Sequence, residues 1–226
     1  MKKLSLFLIL GLVFFFCFTS TVSAFGIPKM GKKKSSSAPA VSIDDALKSQ
    51  GDLMKTYRSG VASNTKAQGL FSEALGNKDQ AAKLKAAADG LTSGNCDYDC
   101  LEKTTQVTKE AEKANNEQLS SAKNMSDASK AKFGEGLVQL GTSVLLYKKA
   151  SGKSADCLSG AKSVIESAPM MKKMSFKSKL QPVMDIAPNL PQNFLDIGKS
   201  LKNCIDFAKA NKIKVPKKAT AALGEL

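Results

Sequence analysis

Apolar residues recur at intervals of three and four along most of the chain, and this spacing constrains the fold more than any other feature. The clearest example is the series Phe133, Leu137, Leu140, Val144 and Tyr147. Such a stripe is typical of an amphipathic α-helix, whereas a half-buried strand alternates every second residue. We find no convincing strand pattern. The sequence therefore predicts an all-α fold: an antiparallel bundle of about six helices, compact or elongated, with disulfides.

Turn residues between the apolar stripes divide the chain into individual helices. Ser151-Gly152-Lys153 indicates a turn, and three prolines between 182 and 191 predict short helical pieces from 170 to 191. We expect the other helices at about 42–75, 77–91, 99–123, 126–150, 154–168 and 192–211.

The third of these helices has the weakest apolar face. That face consists of Val107, Ala111, Ala114 and Leu119, and the rest of the helix is very polar. A thin apolar face predicts a helix on the outside of the bundle, or one that projects from it.

The first 24 residues have the pattern of a cleavable secretory signal. Two lysines precede the apolar run Leu4–Phe18, and small residues at Val22 and Ala24 follow it. The run is too short to span a bilayer. Lipidation of Cys17 is the alternative, but a lipoprotein signal needs a small residue before the cysteine, where this chain has phenylalanine. We therefore expect cleavage after Ala24 and a periplasmic or secreted protein.

Composition divides the remainder into three segments. Residues 25–41 mix Gly, Pro, Ser and lysine without an acid, which predicts a disordered basic leader. Residues 42–211 carry the apolar stripes and form the predicted helical domain. Residues 212–226, interrupted by Pro216, are a predicted basic C-terminal tail.

Four cysteines would remain after cleavage, namely Cys96, Cys100, Cys157 and Cys204. An even number in an oxidising compartment predicts two disulfides, for which three pairings exist. Cys157 and Cys204 both lie on apolar helix faces, so we expect that they can meet. That long bridge would contribute on the order of 4 kcal/mol, and a Cys96–Cys100 bridge about half as much.

The same cysteines are poor candidates for redox or metal chemistry. A thioredoxin-like pair needs Cys-x-x-Cys in a fold with strands, and the spacing from Cys96 to Cys100 is one residue longer. Zinc on four cysteines needs two tight pairs, which Cys157 and Cys204 do not form in sequence. We expect neither a metal nor a cofactor.

The chain contains no histidine, which excludes Ser/His/Asp and Cys/His nucleophile systems and zinc-protease sites. No motif for another catalytic system is recognisable, so we expect a non-enzymatic protein. A methionine cluster invites a copper(I) interpretation, since thioethers are soft ligands. Lys172 and Lys173 place two positive charges inside that cluster, which disfavours copper; its members are Met170, Met171, Met174 and Met184.

The formal net charge of +14 comes almost entirely from lysine, because Arg58 is the single arginine. Sequence-specific nucleic-acid binders use arginine forks interleaved with aromatic residues, and this chain has no such pattern. Lysine suits general attraction to an anionic surface, or simply maintains solubility. The lysines that we expect to bind an anionic surface are Lys172, Lys173, Lys177, Lys179, Lys212, Lys214, Lys217 and Lys218.

These features favour an exported helical protein that binds or scaffolds envelope components through a lysine-rich surface. The expected partner is an envelope protein or an anionic membrane or polymer surface. The alternative is a periplasmic carrier that encloses a small apolar ligand or lipid, lined by Met, Phe and Leu side chains.

Overall fold

Seven α-helices and one short 3-10 turn contain most of the residues that the structure, a computed structural model, describes. These residues are 41–94, 96–122 and 124–226. The predicted signal peptide, residues 1–24, and the leader, apart from Val41, lie outside them. The helices are α1 (Ile43–Ala74), α2 (Lys78–Thr92), α3 (Tyr98–Leu119), α4 (Asp127–Ser167), α5 (Met170–Ile186), α6 (Leu190–Ala210) and α7 (Lys217–Leu223), with the 3-10 turn at Ala187–Asn189. The prediction of an all-α helical bundle is confirmed.

The two longest helices, α1 and α4, pack against each other and carry the core. Ser49 contacts Cys157, and the Ser143 hydroxyl donates to the carbonyl of Gly60. Residues with higher numbers in α1 contact residues with lower numbers in α4, so the two helices are antiparallel. Phe133 of α4 packs against Phe71 of α1 and Phe207 of α6 with tilted rings, at centroid distances of 4.7 and 5.1 Å. The other helices pack around this pair.

Glycine allows α1 and α4 to approach closely at two points. A Cβ atom at Gly136 would lie 2.5 Å from the Phe71 ring, and one at Gly60 would lie 2.8 Å from the Tyr147 ring. Real Cβ contacts are not that short, so each glycine makes room for an aromatic side chain of the other helix. The aromatic rings therefore fill the space that side chains at these positions would occupy.

Helix α4 is continuous where the sequence analysis placed a turn. It runs for 41 residues, or about 60 Å, and passes through Ser151-Gly152-Lys153 without a break. Ala150 and Ser154 on either side are buried. The turn prediction was wrong because buried contacts on both sides of Gly152 outweigh its modest cost in a helix interior.

Helix α5 is also continuous, although it contains Pro182. Gln50 of α1 accounts for this, because its side-chain amide bonds two backbone groups of α5. Gln50 Nε2 donates to the carbonyl of Lys179 at 2.9 Å, and Gln50 Oε1 accepts from the amide of Val183 at 3.3 Å. These two groups are partners in a regular helix, so Gln50 bridges the turn that contains the proline. The predicted short pieces from 170 to 191 are therefore one 17-residue helix through Pro182, followed by the 3-10 turn and the start of α6.

The segment predicted as a basic tail contains further structure. Lys212 has a positive φ of 55°, Ile213 is buried, and α7 follows. A Cβ at Gly141 would lie 3.0 Å from the Cα of Ala219, so α7 packs directly on α4. Lys148 of α4 forms an ion pair with Glu225 beyond α7. Residues 212–226 thus belong to the helical body.

Candidate functional site

All eight lysines predicted to bind an anionic surface are solvent-exposed. The fold separates them into two groups. We call Lys172, Lys173, Lys177 and Lys179 the α5 basic surface. We call Lys212, Lys214, Lys217 and Lys218 the C-terminal basic surface. Among the described residues, none of the eight forms a salt bridge.

The two basic surfaces lie at different positions along α4. Helix α5 starts three residues after Ser167, the last residue of α4, whereas α7 packs at Gly141. At 1.5 Å per residue, these points are about 40 Å apart along the helix axis. This exceeds the Debye length of about 8 Å at physiological ionic strength several-fold, so the charges of one surface are screened from those of the other.

The α5 basic surface also exposes large apolar side chains. Met170, Met171 and Met174 are 91%, 97% and 77% exposed, more than any other large hydrophobic residue described. No acidic residue occurs between Glu166 and Asp185. The start of α5 is therefore an apolar and cationic surface without internal neutralisation.

A groove of opposite character lies between α3 on one side and α5 and α6 on the other. It comprises two adjoining cavities of about 570 and 770 Å³, which share Thr105, Lys109, Asn193 and Asp196. We call it the α3–α6 groove. Its walls carry five carboxylates and two lysines, which are Glu102, Glu112, Glu117, Asp185, Asp196, Lys109 and Lys113. The groove is thus acidic, although the protein is strongly basic.

The wall formed by α3 is held on α1 by buried polar groups. Thr65 and Thr108 share a hydrogen bond of 2.7 Å, and Ser72 donates to Asn115 at 3.0 Å. Asn115 Nδ2 also donates to the backbone and side-chain oxygens of Gln68. The Thr65–Thr108 and Ser72–Asn115 bonds each join residues 43 apart, so α3 runs parallel to α1. These bonds satisfy groups that would be costly to bury alone.

The predicted apolar face of α3 was only partly right. Ala111 is buried, but Val107 is 42% exposed, and Thr104, Thr108 and Asn115 are buried instead. The signal that sequence reasoning missed is a stripe of small polar residues at helical spacing. Helix α3 therefore packs flat on the bundle through a polar face and does not project.

Burial changes the ionisation of groups in and beneath the groove. It raises the pKa of Glu112, an effect that nearby Ser200 and Asn64 partly oppose. Ser200 Oγ is buried and has no hydrogen bond of ordinary geometry among the described residues. Burial also raises the pKa of Cys204 to about 12, and that of Tyr147 well above its usual value. Neither the thiol nor the phenol is therefore a nucleophile at neutral pH.

The disulfide prediction is confirmed for one pair and wrong for the other. Cys96 and Cys100 are bonded, at the start of α3 where Asp97 caps the helix. Cys157 and Cys204 are both free and buried. Cys157 points to Ser49 of α1, with Sγ and Oγ 2.9 Å apart, whereas Cys204 lies near Glu112 of α3. Both cysteines do face the core, but towards different helices.

Comparison with known proteins finds no matching family model, no similar curated protein and no similar solved structure. The chemistry of the two surfaces is therefore inferred from their own residues. Among the described residues, no helix combines the length and apolar character needed to cross a membrane.

Proposed function

We propose that this protein is exported and non-enzymatic, and that it binds anionic components of the cell envelope through its lysine-rich surface. The observation that carries the proposal is the α5 basic surface: four exposed lysines within eight residues, without a neighbouring carboxylate partner. Lysine acts as a point charge, so the recognition is of negative charge and not of a particular shape.

The position of these lysines also supports binding. Gln50 fixes α5 on α1 through two backbone groups, so the lysines project from a rigid helix and not from a flexible loop. The C-terminal basic surface, which lies about 40 Å along α4 from the start of α5, provides a second contact. Two separated contacts on one rigid body increase the apparent affinity for an extended anionic surface, because the second contact becomes intramolecular.

Binding assays with charge variants test this proposal. We expect the protein to bind vesicles of anionic phospholipid and a soluble polyanion such as dextran sulfate at low salt. Binding should weaken steeply towards physiological salt. Replacing Lys172, Lys173, Lys177 and Lys179 with glutamine should abolish most of this binding, because these four lysines lie close together with no acidic residue between Glu166 and Asp185.

A charge-matched control separates local from overall electrostatics. A control variant replaces four exposed lysines of α2 and α3 with glutamine, so its net charge changes by the same amount as in the α5 variant while α5 stays intact. These lysines are Lys78, Lys83, Lys85 and Lys103. This control should retain most of the binding. Equal loss in both variants, or no binding of the unmodified protein at low salt, would contradict the proposal.

The carrier alternative has one supporting observation, the α3–α6 groove. Each of its two cavities has a volume in the range of small-molecule sites, but the walls carry carboxylates and amides. A carrier using this groove would therefore take a polar, cationic ligand, in place of the apolar ligand that the sequence suggested. A co-purified small cation identified by mass spectrometry would favour this alternative.

A further inference from the structure

The three exposed methionines at the start of α5 share one side of the helix. Successive residues of an α-helix are rotated by about 100°, which places Met170, Met171 and Met174 within an arc of roughly 100°. Leu180 and Val183, which are buried against the bundle, lie on approximately the opposite side. The methionine side therefore points directly away from the core.

The lysines lie on both flanks of this methionine arc. By the same rotation, Lys177 and Lys173 lie about 20° and 60° beyond one edge of the arc, and Lys179 and Lys172 lie about 80° and 100° beyond the other. Exposed apolar side chains with lysines to either side also occur on helices that lie in a membrane interface. Long lysine side chains suit it, since they hold the charge at the headgroups while their stems cover apolar surface.

Methionine at 77–97% exposure has no structural role in the bundle. The core is filled by other residues of α5, including Leu180 and Val183, which are almost fully buried. Such contiguous exposed apolar side chains on an exported protein indicate a contact surface. The flanking positive charge, with no acid between Glu166 and Asp185, matches a partner that is both apolar and anionic.

We propose that the start of α5 inserts Met170, Met171 and Met174 into the interface of an anionic phospholipid bilayer, with the four flanking lysines at the headgroups. This inference rests on the proposed function and names its partner as a lipid surface. Insertion is shallow, because the helix turns that follow expose Ser178 and Gln181 and are packed on the bundle through Leu180.

A tryptophan reporter tests insertion directly, because the chain contains no tryptophan of its own. In Met171→Trp, we expect the emission to shift to shorter wavelength on vesicles of anionic phospholipid, and to be quenched by brominated acyl chains. Leu195→Trp, at an exposed position on α6, is the matched control and should show neither effect. Neutral phosphatidylcholine vesicles should leave both spectra unchanged.

The triple variant Met170→Ser, Met171→Ser, Met174→Ser distinguishes insertion from charge attraction. These side chains are exposed, so the fold should persist by circular dichroism. We expect vesicle affinity to fall by at least about tenfold, because apolar burial in the interface is lost. Binding to soluble dextran sulfate should be unchanged, since it depends on the lysines alone.

The outcomes separate the two proposals. An unshifted Met171→Trp spectrum on vesicles that bind the protein would overturn insertion and leave charge-based binding standing; this is also the result expected if the methionines contact a protein. Equal loss of vesicle and dextran sulfate binding in the triple serine variant would overturn insertion as well. Absence of binding to both probes by the unmodified protein would overturn the proposed function itself.

Discussion

At the scale of single residues, Glu112 shows how the fold changes the chemistry of a side chain. It projects from α3 into an acidic groove, and burial raises its pKa above the ordinary 4.5. The carboxylate of Asp196 adds to the effect, whereas Lys109 opposes it. A raised pKa in the folded state means that the fold favours the protonated form over the carboxylate.

This linkage predicts a pH-dependent effect of Glu112→Gln. The stabilisation that comes from protonated Glu112 is fully present below the ordinary pKa and is lost as pH rises through the raised one. Glutamine resembles the protonated form, so the variant should melt at a higher temperature than the unmodified protein at pH 7. The two should melt alike near pH 4.

Thermal unfolding followed by circular dichroism at both pH values measures this difference. Glu117→Gln is a suitable control, since Glu117 lines the same groove but is exposed. A lower melting temperature for Glu112→Gln at pH 7 would show that the charged carboxylate stabilises the fold, contrary to this prediction.

At the scale of helices, the contact between α1 and α4 depends on where glycine occurs. Gly136 and Gly152 lie on the same helix, but only Gly136 faces an aromatic ring of α1, whereas a Cβ at Gly152 would meet no atom within 4 Å. The same residue type is therefore required at one position and merely tolerated at the other.

Alanine at these two positions should have opposite effects. Gly136→Ala would force its Cβ into the buried ring of Phe71, so we expect a loss of about 1–3 kcal/mol of unfolding free energy. Gly152→Ala adds a better helix former in open space and should stabilise by roughly 0.5–1 kcal/mol. Urea denaturation of both variants measures these changes. Destabilisation by Gly152→Ala would argue against a continuous α4.

The interface between α3 and α1 is polar, unlike the contact between α1 and α4. It depends on paired hydroxyl and amide groups, including Asn115 with Gln68. Such an interface is specific in register, since a shift of one residue would leave several buried polar groups without partners. The same register sets the position of the groove wall.

At the scale of the whole molecule, the packing of helices decides which cysteines can react. Helices α4 and α6 direct Cys157 and Cys204 towards different neighbours, so both remain thiols inside the core. The Cys96–Cys100 disulfide closes a loop of five residues, which the chain-entropy model values at about 2 kcal/mol.

Thiol counting checks this arrangement in a chain that begins at residue 25. We expect no reactive thiol in the native protein at neutral pH, because both free cysteines are buried and the pKa of Cys204 is about 12. After denaturation without reductant, two thiols should react. After reduction, four should react. No thiol in the denatured, unreduced protein would restore the predicted Cys157–Cys204 bridge.

The same scale explains how one basic protein presents two unlike surfaces. The bundle brings carboxylates of α3, α5 and α6 into the groove, whereas the lysines at the start of α5 remain on an outward face. Both arrangements follow from which face of each helix packs against the rest of the bundle. Overall charge alone would have predicted neither.

The all-α fold class of this protein was predictable from the sequence alone, because helix formation depends on local interactions. Apolar spacing depends only on neighbours within a few turns, so helices such as α1 and α6 were predicted close to their observed bounds. Exposure of the eight lysines was also predictable, because a charged side chain is rarely buried without a partner. A Cys96–Cys100 disulfide could also be considered from the sequence, because the two cysteines are close along the chain.

Tertiary structure alone decided the rest. Helix α4 continues through Gly152, and α5 continues through Pro182, because contacts from distant residues such as Gln50 outweigh local breaking signals. The polar face of α3, the acidic groove and the separation of Cys157 from Cys204 each depend on how helices far apart in sequence meet. Local sequence patterns do not specify these contacts between helices, since the contacts depend on the packing of the whole bundle.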